Sequence, residues 1–224
     1  SELEMFDLNT VQENGQRFYC DKKGIKYPSV TTVVGLESRK HIQAWKKRIG
    51  EEKANKITKA ATDRGTKIHQ HVEDYLRKEK EFIEFDNLIH EGMFKSIRPV
   101  LDEITPLALE APMYSDTLKM AGRVDCIGIL DDTLCVIDFK TSGKFKEDYM
   151  ARPWFLQMTA YALGHNEVHG TNIREGHIFM CSRGDDGMIL GGETYQQFDV
   201  WPHEYDEWRT EWYNRVYTYY EKFA

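Results

Sequence analysis

The chain has 224 residues, a formal net charge of −7 and 41% hydrophobic residues. This length suits one domain with a sizeable hydrophobic interior. The sequence has no run of eighteen apolar residues, which excludes a membrane-spanning helix, and its start resembles neither a signal peptide nor a transit peptide. Four cysteines without CxxC spacing disfavour zinc and iron-sulfur sites and indicate core thiols in a reducing compartment.

The first third of the chain is predicted to contain a small hairpin and a helix. Residues 17–35 are typical of a short strand and a turn at Lys23-Gly24. Ser38 is a candidate N-cap for a helix that begins near Arg39 and runs towards Ala61. An imperfect apolar stripe supports this helix, and it consists of Ile42, Trp45, Ile49, Ala54 and Ile57.

Positive charge is concentrated in this helical region. From Arg39 to Lys67 there are ten Lys and Arg residues against three acidic residues, whereas the end of the chain is acidic. Such asymmetry is typical of a surface that binds a polyanion, and a helix with a solvated basic face explains it equally well. Trp45 could stack on a nucleobase, although a core position is more common for such a residue.

The remaining elements are further helices and strands. A second helix is predicted over residues 63–79, a third from Phe85 towards Glu103, and another over 153–164. Predicted strands cover residues 107–114, 121–130, 133–140, 176–182 and 188–198. An aromatic helix over 203–223 closes the chain, and the spacing of its rings indicates packing. This order predicts an α/β fold with a mixed central sheet flanked by helices.

The stretch "DCIGILDDTLCVIDFK", from Asp125 to Lys140, is predicted to form a hairpin with charged residues on one face. A two-residue loop at Asp131-Asp132 would place Asp125 directly opposite Asp138. The period of two in a strand puts Lys140 on the same face as Asp138. A four-residue loop keeps this register, whereas a three-residue loop would shift it by one residue.

The charges of this hairpin are unusual for a solvated sheet face. Directly opposed like charges destabilise a sheet, and the second strand is apolar around its charges, with Val136 and Phe139 on opposite faces. Buried carboxylates need a counter-ion, and a divalent cation held by oxygen ligands meets that need. The hairpin therefore predicts a metal site.

Two pairs of polar residues have the i, i+4 spacing of one helix face. His69 and Glu73 adjoin the apolar stripe of the second helix, and Gln157 and Tyr161 repeat the spacing in a later helix. Either pair alone is a weak signal, because a histidine beside an apolar stripe is usually a packed or surface residue.

Together these motifs resemble a known family. "RGTKIH" with Glu73, "GRVD", "VIDFKTS" and the Gln157/Tyr161 pair occur in the order found in RecB-like nucleases of the PD-(D/E)xK superfamily. The stretches "PSVTTVVG", "WKKR" and "FLQMTAYALGHN" are similar to those of the group that includes mitochondrial genome maintenance exonucleases and their phage and bacterial relatives. The resemblance covers roughly residues 28–180.

The resemblance implies a restriction-endonuclease-like core with the active site at the hairpin. The expected plan is one nuclease domain over residues 1–224. It would comprise an N-terminal hairpin and basic helices over 1–105, a catalytic sheet core over 106–198 and an aromatic helix over 199–224. Iron-sulfur members of the family carry a late group of cysteines that this sequence lacks, so no iron-sulfur cluster is expected.

The resemblance also implies roles at the active site. His69, Asp125 and Asp138 would be side-chain ligands of Mg²⁺ or Mn²⁺, joined by the backbone carbonyl of Phe139. Lys140 would orient or deprotonate the attacking water and offset negative charge. Two further carboxylates are candidate ligands of a second ion or outer groups that support the first, and these are Glu73 and Glu110.

Other matched residues would contact DNA. Gln157 and Tyr161 resemble the QxxxY pair of the family, which borders the active site and contacts DNA or braces the catalytic lysine. Candidate phosphate contacts are Arg64, Ser29 and Thr31. The basic helix with Trp45 would form part of a channel wall.

The expected function is therefore a metal-dependent DNA exonuclease that acts on single strands or flaps. A structure-specific or restriction-like endonuclease on the same core and a non-catalytic single-strand-binding protein stay open as alternatives. The acidic C-terminal helix could pack against the core or dock a replication or recombination protein, and no membrane partner is expected. The expected location is the cytoplasm of a bacterium or phage-infected cell, or the mitochondrial matrix if a transit peptide has been removed.

Overall fold

The computed structural model describes residues 6–183 and 194–223. The described chain begins with an antiparallel three-stranded sheet, made of β1 (Phe6–Glu13), β2 (Gln16–Asp21) and β3 (Lys26–Pro28). Four helices follow, namely α1 (Val30–Val34), α2 (Ser38–Ile49), α3 (Glu51–Arg77) and α4 (Leu88–Leu101). The small sheet touches the main sheet through an isolated bridge between Ser29 and Ala121.

The main sheet has five strands, which lie side by side in chain order. They are β4 (Thr105–Ser115), β5 (Met120–Leu130), β6 (Thr133–Ser142), β7 (Gly176–Ser182) and β8 (Tyr195–Val200). Strands β6 and β7 are parallel and the other neighbours are antiparallel. Helix α5 (Arg152–His169) joins β6 to β7, since parallel strands need a crossover, and α6 (Tyr205–Phe223) ends the described chain. The predicted mixed sheet flanked by helices is confirmed.

Each face of the main sheet carries its own hydrophobic cluster. Helices α1, α5 and α6 cover one face, where Met158 and Trp212 are almost fully buried. Helices α3 and α4 cover the other face through side chains such as Ile68 and Met93. Helix α6 therefore packs on the core, although its Tyr217 is 67% exposed.

The basic helices differ from the sequence prediction. A single helix up to Ala61 and a separate one over 63–79 were expected, but α2 ends at Ile49 and α3 runs without interruption from Glu51 to Arg77. Gly50 separates them with a φ of 92°, which glycine adopts at little cost. The prediction that Ser38 is an N-cap is also wrong, because Ser38 lies inside α2 and its hydroxyl donates to the Gly35 carbonyl.

Helix α2 and the first part of α3 form an exposed helical arm, residues 38–63. No side chain of α2 is buried, and within the apolar stripe of the arm only Ala54 is buried. Ile42 and Ile57 are exposed, and Trp45 is half-buried and lies outside the hydrophobic clusters. The arm therefore combines excess positive charge with exposed apolar side chains.

The last predicted strand is confirmed only in part. The structure has a strand at Tyr195–Val200, whereas the rest of the predicted strand, from residue 188, falls largely outside the described residues. In the ranges 6–183 and 194–223, every helix is too short or too polar to cross a lipid bilayer.

A buried histidine ties β7 to β8. His177 Nδ1 lies 2.6 Å from Asp199 Oδ1, and His177 Nε2 lies 2.9 Å from Glu175 Oε2. Burial alone would lower the pKa of His177, but hydrogen bonds to Asp199 and Glu175 outweigh burial and raise it. The folded protein therefore binds the proton of His177 more tightly than the unfolded chain does.

The stability of the protein should fall as pH rises through the raised pKa of His177. A histidine with a raised pKa stabilises the fold fully below its unfolded value of about 6.5, and the contribution disappears above the folded pKa. The free energy of unfolding of wild type should therefore fall by on the order of 1 kcal/mol between about pH 6 and about pH 9 because of His177. We expect His177→Gln to lack this fall. Urea unfolding at both values measures it. The matched control is His203→Gln, which changes a histidine that is 79% exposed. The prediction is contradicted if the free energy of unfolding changes equally with pH in wild type and both variants.

Candidate active site

The turn between β5 and β6 sets the register of the charged hairpin. Asp131 and Asp132 have φ values of 48° and 60°, the conformation of a two-residue type I′ turn that matches the twist of paired strands. Leu130 pairs with Thr133, and the ladder continues to Cys126 opposite Ile137. The predicted register is confirmed over these pairs.

The backbone ladder ends one residue before Asp125 and Asp138. At this point the Phe139 N–H donates to Asp125 Oδ2 at 2.9 Å. A side-chain oxygen is thus the acceptor, where a regular ladder would use a backbone carbonyl of the neighbouring strand. The two carboxyl groups still lie close together in one cavity, and this proximity is one reason why the pKa of Asp125 is raised. The regular pairing of β5 with β6 ends at this point, and Asp125 and Asp138 line the same cavity.

Strand β4 adds a third carboxylate in the same row. The pairs Leu109↔Cys126 and Ala111↔Val124 leave Glu110 opposite Asp125. Glu110 has a φ of 51°, an uncommon and costly conformation for a residue with a side chain. Carboxylates from three neighbouring strands therefore line one cavity, and Glu110 matters more than its sequence context indicated.

Burial makes this row of carboxylates electrostatically costly. Asp138 is 2% exposed, and the pKa of Asp125 is raised well above its usual value by burial and by Asp138. Burial also raises the pKa of Glu110, although Arg123, whose Nη1 lies 3.5 Å from Glu110 Oε2, opposes this shift. The ammonium of Lys140 offsets part of this cost, because its Nζ lies 2.8 Å from Asp138 Oδ2. This oxygen nevertheless has no hydrogen bond of good geometry among the described residues.

A chain of hydrogen bonds holds Lys140 in place. Lys140 Nζ donates to Gln157 Oε1 at 2.8 Å, and Gln157 Nε2 donates to Tyr161 Oη at 2.8 Å. Gln157 and Tyr161 lie on α5 and are buried. Trp154 flanks the same ammonium, with its ring centre 5.8 Å from Nζ. The i, i+4 spacing on α5 therefore fixes the position of the lysine.

Helix α3 brings His69 to the carboxylates. Its Nδ1 lies 3.9 Å from Asp125 Oδ2, which is too long for a hydrogen bond. Glu73, one turn later, accepts a 2.8 Å hydrogen bond from Arg77 Nε and raises the pKa of Glu110. Glu73 lies near the site but does not line its cavity.

A cavity of about 380 Å³ contains these groups. Most of the residues selected from the sequence line it, namely Ser29, Thr31, His69, Glu110, Asp125, Asp138, Lys140, Gln157 and Tyr161. Ser29 also accepts a hydrogen bond from the Thr32 N–H as the N-cap of α1. Arg64 and Trp45 are not part of this lining.

The small sheet supplies cavity residues that sequence reasoning missed. Arg17 and Tyr19 of β2 line the cavity opposite the carboxylates. The Ser29 N–H donates to the Arg17 carbonyl at 2.9 Å, which fixes β2 against the start of α1. No local pattern signals this role, because the contact between the two sheets is formed only in three dimensions.

The donor set of the cavity fits a hard divalent cation. Asp138 Oδ2 is a buried oxygen without a well-formed hydrogen bond, and Asp125, Glu110 and His69 line the same cavity. Carboxylate oxygens with one imidazole are suitable ligands for Mg²⁺ or Mn²⁺. Lys140 pairs with Asp138 and Arg123 lies beside Glu110, whereas burial and Asp138 raise the pKa of Asp125, so a cation bound beside Asp125 would stabilise the site.

Comparison with known proteins gives a family match across most of the chain. The family model described as the PD-(D/E)XK nuclease superfamily matches residues 43–216. The chain is also similar to proteins named mitochondrial genome maintenance exonuclease 1. The human protein is 30% identical over 169 residues, which cover 69% of this chain and 48% of that protein.

Two further relatives with this name give similar values. The Xenopus tropicalis protein is 29% identical over 199 residues, covering 81% of this chain and 55% of that protein. The mouse protein is 29% identical over 168 residues, covering 69% and 49%. The chain thus spans about half the length of these relatives.

Proposed function

Because the chain belongs to the PD-(D/E)XK nuclease superfamily, we propose that it is a divalent-metal-dependent exonuclease that hydrolyses single-stranded DNA or flaps from a free end. One observation carries the proposal: Asp125 and Asp138 are packed against each other beside Lys140. Nucleases of this superfamily generally use divalent metals such as Mg²⁺. The three relatives described above have the word exonuclease in their names.

The ligands of the metal would come from α3 and two strands. His69, Asp125 and Asp138 would hold the ion with the Phe139 carbonyl, and Glu110 is a further ligand or an outer group. Glu73, already bonded to Arg77, would act from outside the cavity. When bound, Mg²⁺ or Mn²⁺ would withdraw charge from the scissile phosphate and help the leaving oxygen depart.

Lys140 would act directly on the reaction. Its ammonium is fixed between Asp138 and Gln157, so it points into the cavity in one orientation. From there it can orient the attacking water and stabilise the negative charge that develops on the phosphate. Gln157 and Tyr161 would act as positioning residues, because they hold Lys140 through a continuous hydrogen-bond chain.

The helical arm and the cavity rim would hold the DNA strand. The excess of Lys and Arg between residues 39 and 67 favours binding to phosphates. The arm offers apolar contact area at Ile42, Ile57 and Trp45. Unstacked bases can pack on this area, whereas the bases of a closed duplex are stacked on each other. Thr31 and Arg17 at the rim are suitable phosphate contacts. These features support single strands as the substrate.

The proposal is tested with linear and circular forms of the same single-stranded DNA. We expect linear DNA to be degraded with Mg²⁺ or Mn²⁺, circular DNA to stay intact, and EDTA to stop the reaction. Separate labels at the 5′ and 3′ ends give the polarity, and Asp138→Asn controls for contaminating nucleases.

Nicking of the circle would refute the exonuclease and favour a structure-specific or restriction-like endonuclease. Binding without cleavage under every metal condition would favour a non-catalytic binding protein. Equal cleavage with EDTA would refute the role of the metal.

A further inference from the structure

A second groove lies beside the catalytic cavity, between α3, the start of α4 and the end of β7. Its volume is about 550 Å³. The residues that matter for its chemistry are Arg64, Lys67, Asp86, His90 and Arg183. The groove is separate from the cavity that contains the carboxylates, because none of the described residues lines both.

Three nitrogen atoms in this groove lack hydrogen-bond partners. Arg64 Nε, His90 Nδ1 and Arg183 Nε are buried, and none has a partner in the described part of the chain. Buried polar groups are normally satisfied, so three orphaned nitrogens in one groove need an explanation. A ligand in the groove does not reach these covered atoms themselves, but an acceptor-rich ligand would match the two guanidinium groups, which can only donate.

The charges of the groove also indicate an anionic ligand. The acidic residues of its wall are already paired, because Asp63 lies 2.8 Å from Lys59 and Asp86 lies 3.3 Å from Lys67. In the ranges described, Arg64 Nε and Arg183 Nε have no hydrogen-bond partner. Burial together with Arg183 lowers the pKa of Arg64. The two guanidinium groups therefore lie in this groove without a carboxylate of their own among the described residues.

The groove lies immediately beyond the catalytic strand. The Arg183 N–H donates to the Ser142 carbonyl, two residues after Lys140, and Arg64 precedes His69 on α3. A Cβ on Gly65 would lie 3.1 Å from Thr141 Oγ1, and a Cβ on Gly143 would lie 3.7 Å from Arg64 Nη2. The absence of side chains at both glycines therefore lets α3 approach β6 and brings Arg64 to its end.

The separation suits neighbouring phosphates of one strand. Two residues of β6 span roughly 6.6 Å, and five residues of α3 rise roughly 7.5 Å. These lengths equal the axial rise of about two nucleotides, at roughly 3.4 Å each in a duplex strand, so one strand could pass both places within a few nucleotides. A strand with one phosphate at Lys140 could place a nearby phosphate between the arginines.

We propose that Arg64 and Arg183 form a phosphate subsite for the DNA strand whose nearby phosphodiester bond is cleaved at Lys140. This proposal rests on the proposed function and adds a residue, Arg183, and a defined contact to it. Arginine suits the role because its planar fork donates two parallel hydrogen bonds to phosphate oxygens. The phosphate is either an internal one or the terminal phosphate of the strand, and the same chemistry recognises both.

The test is the binding of labelled single-stranded DNA in EDTA, where no cleavage occurs. Oligonucleotides with one neutral methylphosphonate linkage, moved along the strand, identify the phosphates that wild type contacts. We expect Arg183→Gln and Arg64→Gln to bind unmodified DNA roughly tenfold more weakly and to lower the salt dependence by about 0.7 per charge. They should also become insensitive to the neutral linkage at one position.

The controls separate a phosphate contact from a general loss of charge or fold. Arg98→Gln removes one charge from an exposed arginine outside the groove and should keep the wild-type pattern. Arg183→Lys should restore the salt dependence but only part of the affinity, because lysine lacks the fork. Melting temperatures of all variants report whether they fold.

A second set of oligonucleotides distinguishes the two sources of phosphate. If the variants lose only the preference of wild type for a 5′-phosphate or 3′-phosphate over a hydroxyl, the subsite binds the end of the DNA strand. If they instead become insensitive to a methylphosphonate inside the strand, the subsite binds an internal phosphate. Folded variants that bind every oligonucleotide like wild type would overturn the subsite. The subsite is also overturned if inorganic phosphate stabilises wild type but the variants keep the wild-type methylphosphonate pattern. In that case the groove binds an adventitious ion only.

The outcome is independent of catalysis. Asp138→Asn should keep the complete methylphosphonate pattern although it does not cleave. If wild type binds DNA in this pattern but never cleaves it, the proposed function fails and the phosphate subsite stands.

Discussion

Asp138→Asn is expected to abolish Mg²⁺-dependent cleavage, with a loss of at least about a thousandfold in kcat. The same change should leave the metal-free protein as stable as wild type or more stable. Asp138 is almost fully buried and faces Asp125, so asparagine keeps the shape of the side chain and removes one of two repelling charges. Lys140 keeps its hydrogen bond to Gln157, which limits the cost of losing its partner.

Three measurements check this prediction: single-turnover cleavage, calorimetric titration with Mn²⁺, and the melting temperature in EDTA. Asp132→Asn is the matched control, because it makes the same chemical change in the turn at the other end of the hairpin. We expect the control to cleave and bind Mn²⁺ like wild type. Residual cleavage by Asp138→Asn within tenfold of wild type would show that the site is assigned wrongly.

Lys140→Met is expected to lower the cleavage rate by about 100-fold to 10,000-fold and to preserve Mn²⁺ binding. Methionine removes the ammonium that lies between Asp138 and Gln157. The buried Asp138 then lacks its cation, so the free energy of unfolding in EDTA should fall by up to about 3 kcal/mol. Saturating Mn²⁺ should recover this stability without recovering activity, because the ion can replace the charge but not the proton chemistry of the lysine.

The test of Lys140→Met uses the same assays, with Lys146→Met as its control. Lys146 Nζ lies 5.6 Å from the ring centre of Trp154, similar to the 5.8 Å of Lys140, but in the described residues it has no carboxylate partner. The two active-site variants should therefore differ: Asp138→Asn loses the ion, and Lys140→Met keeps it. Loss of Mn²⁺ binding by Lys140→Met would contradict separate roles.

The hairpin was predictable because its geometry is local. Two adjacent residues with positive φ close the turn at Asp131-Asp132, and the period of two carries the register along both strands. The i, i+4 spacing of Gln157 and Tyr161 is likewise local, and it correctly placed both side chains on one face of α5.

The helical arm shows where local patterns stop being informative. The apolar stripe with Ile42 and Ile57 has helical spacing, but whether such a stripe is buried depends on what packs against it. In the described structure Ile42 and Ile57 are left exposed, whereas Ala54 of the same stripe is buried. The break at Gly50 was missed because a glycine inside a helical pattern is often tolerated.

The sequence by itself determined the local features of this protein: most of the elements along the chain, the register of the hairpin from Leu130↔Thr133 to Cys126↔Ile137, and residue types suited to a divalent ion. Only the tertiary structure decided that Glu110 lies opposite Asp125, that Arg17 lines the cavity, and that Arg183 adjoins Arg64. Turn geometry and helical spacing act over a few residues and can be read from their order. Contacts between distant segments depend on how sheets and helices pack, and the packing of the whole core sets those positions.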